Sequence, residues 1–151
     1  MKKIFAPGND SALTSLGLLV LRLFFGLTML WHHGLDKLEK FNTLGPGFPD
    51  PLGVGHKVSL ALTVFAEVAA AALLAAGLLT RFAALVLAFE MGVAFTQIHK
   101  MTLGGAMPGE FAFIYFGAYL TLLFTGAGKI SLDNVFFGKN KSGWGNKTLC
   151  F

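Results

Sequence analysis

A 22-residue apolar segment near the start of the chain, Ala12 to His33, constrains the fold more than any other feature. A helix needs roughly 20 apolar residues to cross the ~30 Å hydrocarbon core of a bilayer. The segment is therefore predicted to span a membrane. Its middle carries one charge, Arg22. Because a mid-membrane arginine costs about 2.5–3.5 kcal/mol on insertion scales, we expect Arg22 to face the protein interior beside an acidic partner.

The composition favours a membrane protein over a soluble one. The chain is 54% hydrophobic and 13% charged, whereas soluble domains average about 25% charged residues. Its basic residues are spread over loops and a tail instead of alternating with exposed aromatic residues, so the expected partner is the lipid bilayer and not nucleic acid. The single cysteine, Cys150, excludes an internal disulfide and a paired-cysteine redox motif.

The first segment is interpreted as a retained helix. It is longer than the 7–15-residue core of a signal peptide and lacks a small-x-small cleavage site. Residues 35–41 place apolar side chains about three apart, which predicts a short helical extension at the membrane interface. The stretch Gly45–Pro51 contains three prolines and two glycines and is predicted to interrupt regular helix.

Three more apolar segments follow, and together they predict an all-α integral membrane four-helix bundle in a single domain. Alanines spaced four apart in the second segment (Ala66/Ala70, Ala71/Ala75 and Ala72/Ala76) favour close helix approach. The predicted spans are about 12–33, 58–79, 81–99 and 110–126, followed by a basic tail over 127–151.

Four spans place both termini on one side of the membrane. Seven basic residues flank that side and four flank the other. The excess of positive charge predicts cytoplasmic termini in a multi-pass protein of the bacterial inner membrane.

Three charged residues are predicted to lie near the bilayer midplane: Arg22, Glu67 and Glu90. One cation and two acids in apolar surroundings favour an arginine–carboxylate pair, with a proton on the remaining acid or shared between the two. Such a cluster is either an ion pair that fixes helix register or a centre that handles protons or binds a ligand. Tyr119 lies near mid-span, and its hydroxyl is expected to bond to this cluster.

The histidines form a second group at the outer ends of the predicted spans. Helical spacing of residues 22, 26, 29 and 33 places His33 on the face of Arg22, while His99 lies about half a turn from the face of Glu90. Histidine ligates metals and haem, accepts protons and can hydrogen-bond a quinone. A purely interfacial role is equally compatible with these positions.

The chain resembles the DoxX family of small four-helix bacterial membrane proteins over about residues 18–133. The resemblance rests on Leu21–Gly26 and His33–Leu38, on Glu67, on Leu73–Ala84, and on Gly105, Glu110 and Thr125–Asp133. Arg22 and Glu67 match the family pattern, whereas Glu90 is less typical of it. The family is linked to respiratory and redox membrane complexes, so the resemblance implies membrane redox work with a quinone nearby.

The leading hypothesis from the sequence is a redox-linked membrane subunit. Arg22, Glu67 and Glu90 would handle protons, and a quinone headgroup would contact His33, His99 or Tyr119. No motif for haem, a flavin or an iron–sulfur cluster is evident, so a quinone is favoured over haem or a metal ion. Electrons would come from another membrane or periplasmic redox subunit. The alternatives are a non-catalytic scaffold or assembly factor, and a small-molecule carrier with an anion on Arg22.

Overall fold

The computed structural model describes residues 12–104 and 108–137, and every regular element in those two ranges is helical. The first three long helices have the length and apolar composition needed to cross a membrane, and the fourth is shorter and apolar. This confirms the predicted all-helical membrane bundle. The helices are α1 (Ala12–Glu39), α2 (His56–Ala76), α3 (Thr80–Ile98), α4 (Glu110–Thr125) and the short α5 (Leu132–Phe137).

Helix α1 continues six residues beyond the end predicted from its apolar content. The charged turn from Asp36 to Glu39 stays helical, and Lys40 and Asp36 form an i,i+4 ion pair on its surface. Residues 35–39 thus continue α1 as a helical extension, as their apolar spacing predicted. The other predicted spans differ from α2, α3 and α4 by no more than three residues at either end.

The helices alternate in direction, and one end of the bundle gathers the start of α1, the α2–α3 turn and the segment after α4. The backbone N–H of Lys129 donates to Ser15 Oγ (3.2 Å). The carboxylate of Asp133 accepts hydrogen bonds from the N–H groups of Leu79 (2.7 Å) and Thr80 (3.0 Å), where α3 begins. The predicted tail therefore starts as a docked segment, and residues 138–151 lie outside the described ranges.

Small residues bring α1 and α2 close together within a core to which all four long helices contribute. A Cβ at Gly26 would lie 3.1 Å from the backbone oxygen of Ala71 and from Cβ of Ala75, so α1 and α2 are in near backbone contact there. The alanine pairs 66/70 and 71/75 are buried, which confirms the small-residue prediction for them. Ala72 and Ala76 are exposed and do not contribute.

Each of the three long helices contains one π-helical turn: Leu30–Gly34 in α1, Phe65–Ala70 in α2 and Ala94–Ile98 in α3. A π turn adds one residue to the helical repeat and shifts the face that follows. On α1 the buried positions are Arg22, Gly26, Met29 and then Gly34. The inserted residue therefore moves His33 out of the buried stripe, and His33 is exposed.

The long connection after α1 folds over the opposite end of the bundle, where α1 ends and α2 begins. A helical turn, Phe41–Leu44, leads into a 3-10 turn, Gly45–Gly47, and the chain is then extended at Phe48. No α-helix forms over residues 45–51, as the prolines and glycines predicted.

A membrane-facing cavity with a buried ion pair

The polar centre of the bundle is an ion pair between Lys37 on α1 and Glu67 on α2. Lys37 Nζ donates to both carboxylate oxygens of Glu67, at 2.6 and 2.7 Å. The Glu67 side chain is only 4% exposed and that of Lys37 is 22% exposed. The pair sits where the π turns of α1 and α2 meet. A Cβ at Gly34 would lie 2.6 Å from the Glu67 carbonyl oxygen, so glycine is required for this approach.

Glu90 on α3 completes the centre. Its electrostatic neighbours include Glu67 and Lys37. Its Oε2 atom is buried and has no hydrogen-bond partner within the described residues. Buried polar atoms are normally paired with protein or water, so this oxygen is the group in the centre most available to an added ligand.

Lys37, Glu67 and Glu90 all line one cavity of about 460 Å³. Its other lining residues are mainly apolar side chains of α2 and α3, including Phe65 and Phe89. Ligand pockets of roughly 300–1,000 Å³ with apolar walls and a few convergent polar groups are typical of small-molecule sites. The arrangement suits an apolar molecule that carries a polar headgroup.

The cavity is covered at one end by the segment Phe48–Leu52, of which Phe48, Pro49, Pro51 and Leu52 are lining residues. Asp50 anchors this segment to the start of α2. Hydrogen bonds from the Ser59 hydroxyl and from the backbone N–H groups of Gly55 and Val54 hold the pKa of Asp50 below its ordinary value.

Arg22 lies far from this centre, and the predicted pairing of Arg22 with Glu67 or Glu90 is wrong. The side chain is fully buried, and its Nη2 donates to the carbonyl oxygen of Ile130 at 2.5 Å. The nearest acid is Asp133, beyond α4. Because α1 extends to Glu39, Arg22 stands about 18 Å along the helix from Gly34, which is level with Glu67.

Arg22 instead packs under the α2–α3 turn. Gly77 ends α2 with a φ of +72°, and a Cβ there would overlap Arg22 Nη1. The Nε and Nη1 atoms are buried with no partner among the described residues. Arg22 thus joins α1 to the segment that follows α4 and takes no part in lining the cavity.

Tyr119 is fully buried, but its hydroxyl donates to the carbonyl oxygen of Phe25 (3.3 Å) and not to the charged cluster as predicted. Its ring packs beside that of Tyr115, with centroids 5.8 Å apart. Glu67 and Glu90 are electrostatic neighbours of Tyr119 without a direct bond. The tyrosines therefore support the helix packing behind the centre.

Neither candidate histidine lines the cavity. The exposed His33 ring stands edge-on to Tyr115, with centroids 6.2 Å apart, and has Glu67 and Lys37 as electrostatic neighbours. His99 follows the π turn of α3, and its Cβ lies close to Gly109 at the start of α4. Within the described residues, no three His, Cys, Asp or Glu side chains are grouped to hold a metal ion.

Lys37 belongs to the polar centre but is not among the site residues predicted from the sequence. The apolar segment ends at His33, so the hydropathy pattern alone leaves Lys37 outside the first span. The signal was its position one turn after His33, with Leu35 and Leu38 continuing the helical pattern. A lysine there can reach back toward a membrane-buried acid by extending its flexible side chain.

The long apolar helices and the buried ion pair define a helical membrane protein, and sequence comparison gives its family. The DoxX family profile matches residues 17–100. An uncharacterized protein of Haemophilus influenzae is 40% identical over 115 residues, which cover 71% of this chain and 81% of that protein. No solved structure matches. The chain belongs to the DoxX family, which confirms the resemblance inferred from its motifs.

Proposed function

We propose that this protein is a subunit of a redox complex in the bacterial inner membrane and that its cavity holds the headgroup of a membrane quinone. One observation carries the proposal. A buried lysine–carboxylate pair and a second carboxyl with a free, buried oxygen line the same apolar cavity. Membership of the DoxX family supports a membrane protein. The quinone is inferred from the chemistry of the cavity.

The lining residues fit such a headgroup. A quinone is a flat, largely apolar ring with oxygen atoms at its edge, so it needs apolar walls and a few hydrogen-bonding groups. Phe65 and Phe89 contribute aromatic surface. An ammonium has three N–H donors, and Lys37 gives two to Glu67, which leaves one for a ligand oxygen.

When bound, a quinone supplies two-electron chemistry coupled to the uptake or release of protons. The chain's own contribution is to orient the headgroup and to exchange a proton. Lys37 and Glu67 fix each other's position through two short hydrogen bonds, so Glu67 sets the direction of the ammonium. Glu90 has no such cation bonded to it, so its Oε2 can accept a hydrogen bond or, when protonated, donate one. The proposal assigns electron delivery to a partner subunit.

The test is the quinone content of the purified protein. Solvent extraction of the gently purified wild-type protein should yield a membrane quinone in roughly equal amount to protein. Glu90→Gln keeps the size of the side chain but removes its transferable proton and changes its hydrogen-bonding groups. It should lower quinone affinity about two- to tenfold, because a hydrogen bond contributes about 0.5–1.5 kcal/mol.

Glu39→Gln is the matched control, because this carboxyl lies exposed on the same helix as Lys37 and outside the cavity. Equal quinone content in both variants and in the wild type would contradict a role for Glu90. A wild-type protein that contains no quinone, and takes up none when it is added, would contradict the proposed function as a whole.

A further inference from the structure

A ligand can approach the cavity from the water side or from the membrane side, and different residues border the two sides. Toward water it is covered by Phe48–Leu52, which we call the lid segment. Toward the membrane it is bordered by Leu62 and Phe65 of α2 and Phe89 of α3, whose side chains are half exposed or more on the outer surface of the bundle. A ligand must pass either the lid segment or this gap between α2 and α3.

The lid segment is fastened to α2 by several hydrogen bonds. Asp50 accepts from Ser59 Oγ (2.6 Å), Gly55 N (2.7 Å) and Val54 N (3.0 Å). His56 Nδ1 donates to the carbonyl oxygen of Phe48 at 2.6 Å. Because Ser59 lines the cavity as well, the anchor sits directly at its rim. Hydrogen bonds to a charged group are among the stronger ones in proteins.

Among the described residues, no comparable set of hydrogen bonds fastens the gap between α2 and α3. Its border is formed by apolar side chains that face the surrounding lipid. An elongated molecule could place its polar end beside Glu90 and leave its apolar part in this gap, since the side chains that border the gap both line the cavity of about 460 Å³ and reach the outer surface. Apolar groups move between lipid and such a border without the cost of exposure to water.

We infer that the ligand of this cavity is a membrane-dissolved molecule that enters sideways between α2 and α3, and that Asp50 keeps the lid segment closed toward water. The inference rests on the proposed function, because it describes how the same cavity is reached. The ligands expected from this route are lipid-soluble molecules with a polar headgroup.

The lid segment can be tested by the reactivity of a cysteine placed in the cavity. The chain has one native cysteine, so Cys150→Ser gives a thiol-free background. Thr63 lies in the cavity wall, and Thr63→Cys replaces its hydroxyl by a thiol and removes one methyl group. A charged, membrane-impermeant maleimide should modify this cysteine slowly, and adding Asp50→Asn should raise the rate about tenfold, since the anchor loses its charge-assisted bonds.

Asp36→Asn is the matched control, because it also removes one carboxylate, in this case from the exposed pair with Lys40. It should leave the rate unchanged. If Asp50→Asn does not fold, Ser59→Ala removes one anchoring bond and should give a smaller increase. A wild-type cysteine that already reacts as fast as in the Asp50→Asn protein would overturn the closed lid.

The sideways route is tested with an uncharged, lipid-soluble maleimide in liposomes. Leu62→Trp should narrow the gap and slow modification of Thr63→Cys about tenfold, an expectation based on steric crowding in a packed interface. Leu85→Trp is the control: Leu85 is 52% exposed, as is Leu62, but does not line the cavity. Equal rates in the two tryptophan variants would overturn entry between α2 and α3.

These measurements need no bound quinone and therefore separate the two proposals. Suppose that the charged maleimide reacts slowly, that Leu62→Trp slows the lipid-soluble maleimide, and that the protein binds no quinone. This result would support the route and contradict the proposed function. Quinone binding that depends on Glu90, without either labelling effect, would support the function and contradict the route.

Discussion

Lys37 and Glu67 depend on each other because each is the charge that makes the other tolerable in apolar surroundings. Breaking a buried ion pair by removing one partner costs about 3–5 kcal/mol, whereas replacing both charges is often close to neutral. Glu67 is almost fully buried, so an unpaired carboxylate there would have no access to bulk water. This relationship gives a direct test at the scale of single residues.

Lys37→Met is expected to destabilise the protein more than the double variant Lys37→Met/Glu67→Gln, because the single change leaves an unpaired carboxylate. Thermal unfolding in detergent measures the difference. Lys40→Met breaks the neighbouring exposed pair with Asp36 and should change the free energy of unfolding by less than about 1 kcal/mol. Additive effects of the two single changes at Lys37 and Glu67 would mean that the pair does not contribute.

The sequence predicted Glu67 and Glu90 as partners in one buried centre but assigned the wrong cation. The positions of Arg22, Glu67 and Glu90 within their apolar segments predict the same depth in the membrane for all three residues. The helix in fact runs on through Asp36–Glu39, so the true level of Glu67 on α1 is Gly34. A hydropathy pattern shows where apolar residues stop and does not show where a helix stops.

At the scale of helices, the π turns determine which side chains meet. Because of the π turn in α1, Gly34 and not His33 lies in the buried stripe of that helix. The π turn in α2 contains Glu67. Their contact brings the two backbones close enough for Lys37 to reach across. An ideal helical repeat cannot predict this, because the single inserted residue moves every later side chain by about a quarter of a turn or more.

Gly34→Ala should therefore separate α1 from α2. The added Cβ meets the backbone of Glu67, which cannot rotate away as a flexible side chain would. Overpacking of this kind costs about 1–3 kcal/mol, and the melting temperature in detergent should fall accordingly. Gly17→Ala in the same helix meets no atom within 4 Å and should be neutral or slightly stabilising. Similar melting temperatures for both variants would contradict the close contact.

At the scale of the whole molecule, the bundle has two distinct ends. One end joins the start of α1, the α2–α3 turn and α5 through Arg22 and Asp133. The other carries the polar centre and the lid segment. The all-helical architecture followed from the sequence because long apolar segments have few alternatives in a membrane. The sequence did not predict which charged residues lie at which end of the bundle, because that depends on contacts between residues far apart in the chain.

The end with Arg22 is expected to face the cytoplasm, because seven basic residues flank it against four at the other end. Two reporter enzymes can be fused after Phe151. A reporter that functions only in the cytoplasm should show activity, and a reporter that functions only outside the cytoplasm should show none. The opposite pattern would invert the orientation and place the lid segment on the cytoplasmic side.

We propose that the carboxyl centre in the cavity takes part in quinone-linked electron flow. The most direct measurement is quinone-dependent turnover in membranes that carry Glu90→Gln, with Glu39→Gln as control and with the amount of assembled complex measured in parallel. Proton transfer by a positioned side chain typically contributes at least about a hundredfold. We expect turnover to fall by that order in Glu90→Gln, with assembly unchanged. Unchanged turnover in a fully assembled complex would contradict the claim and favour a scaffold.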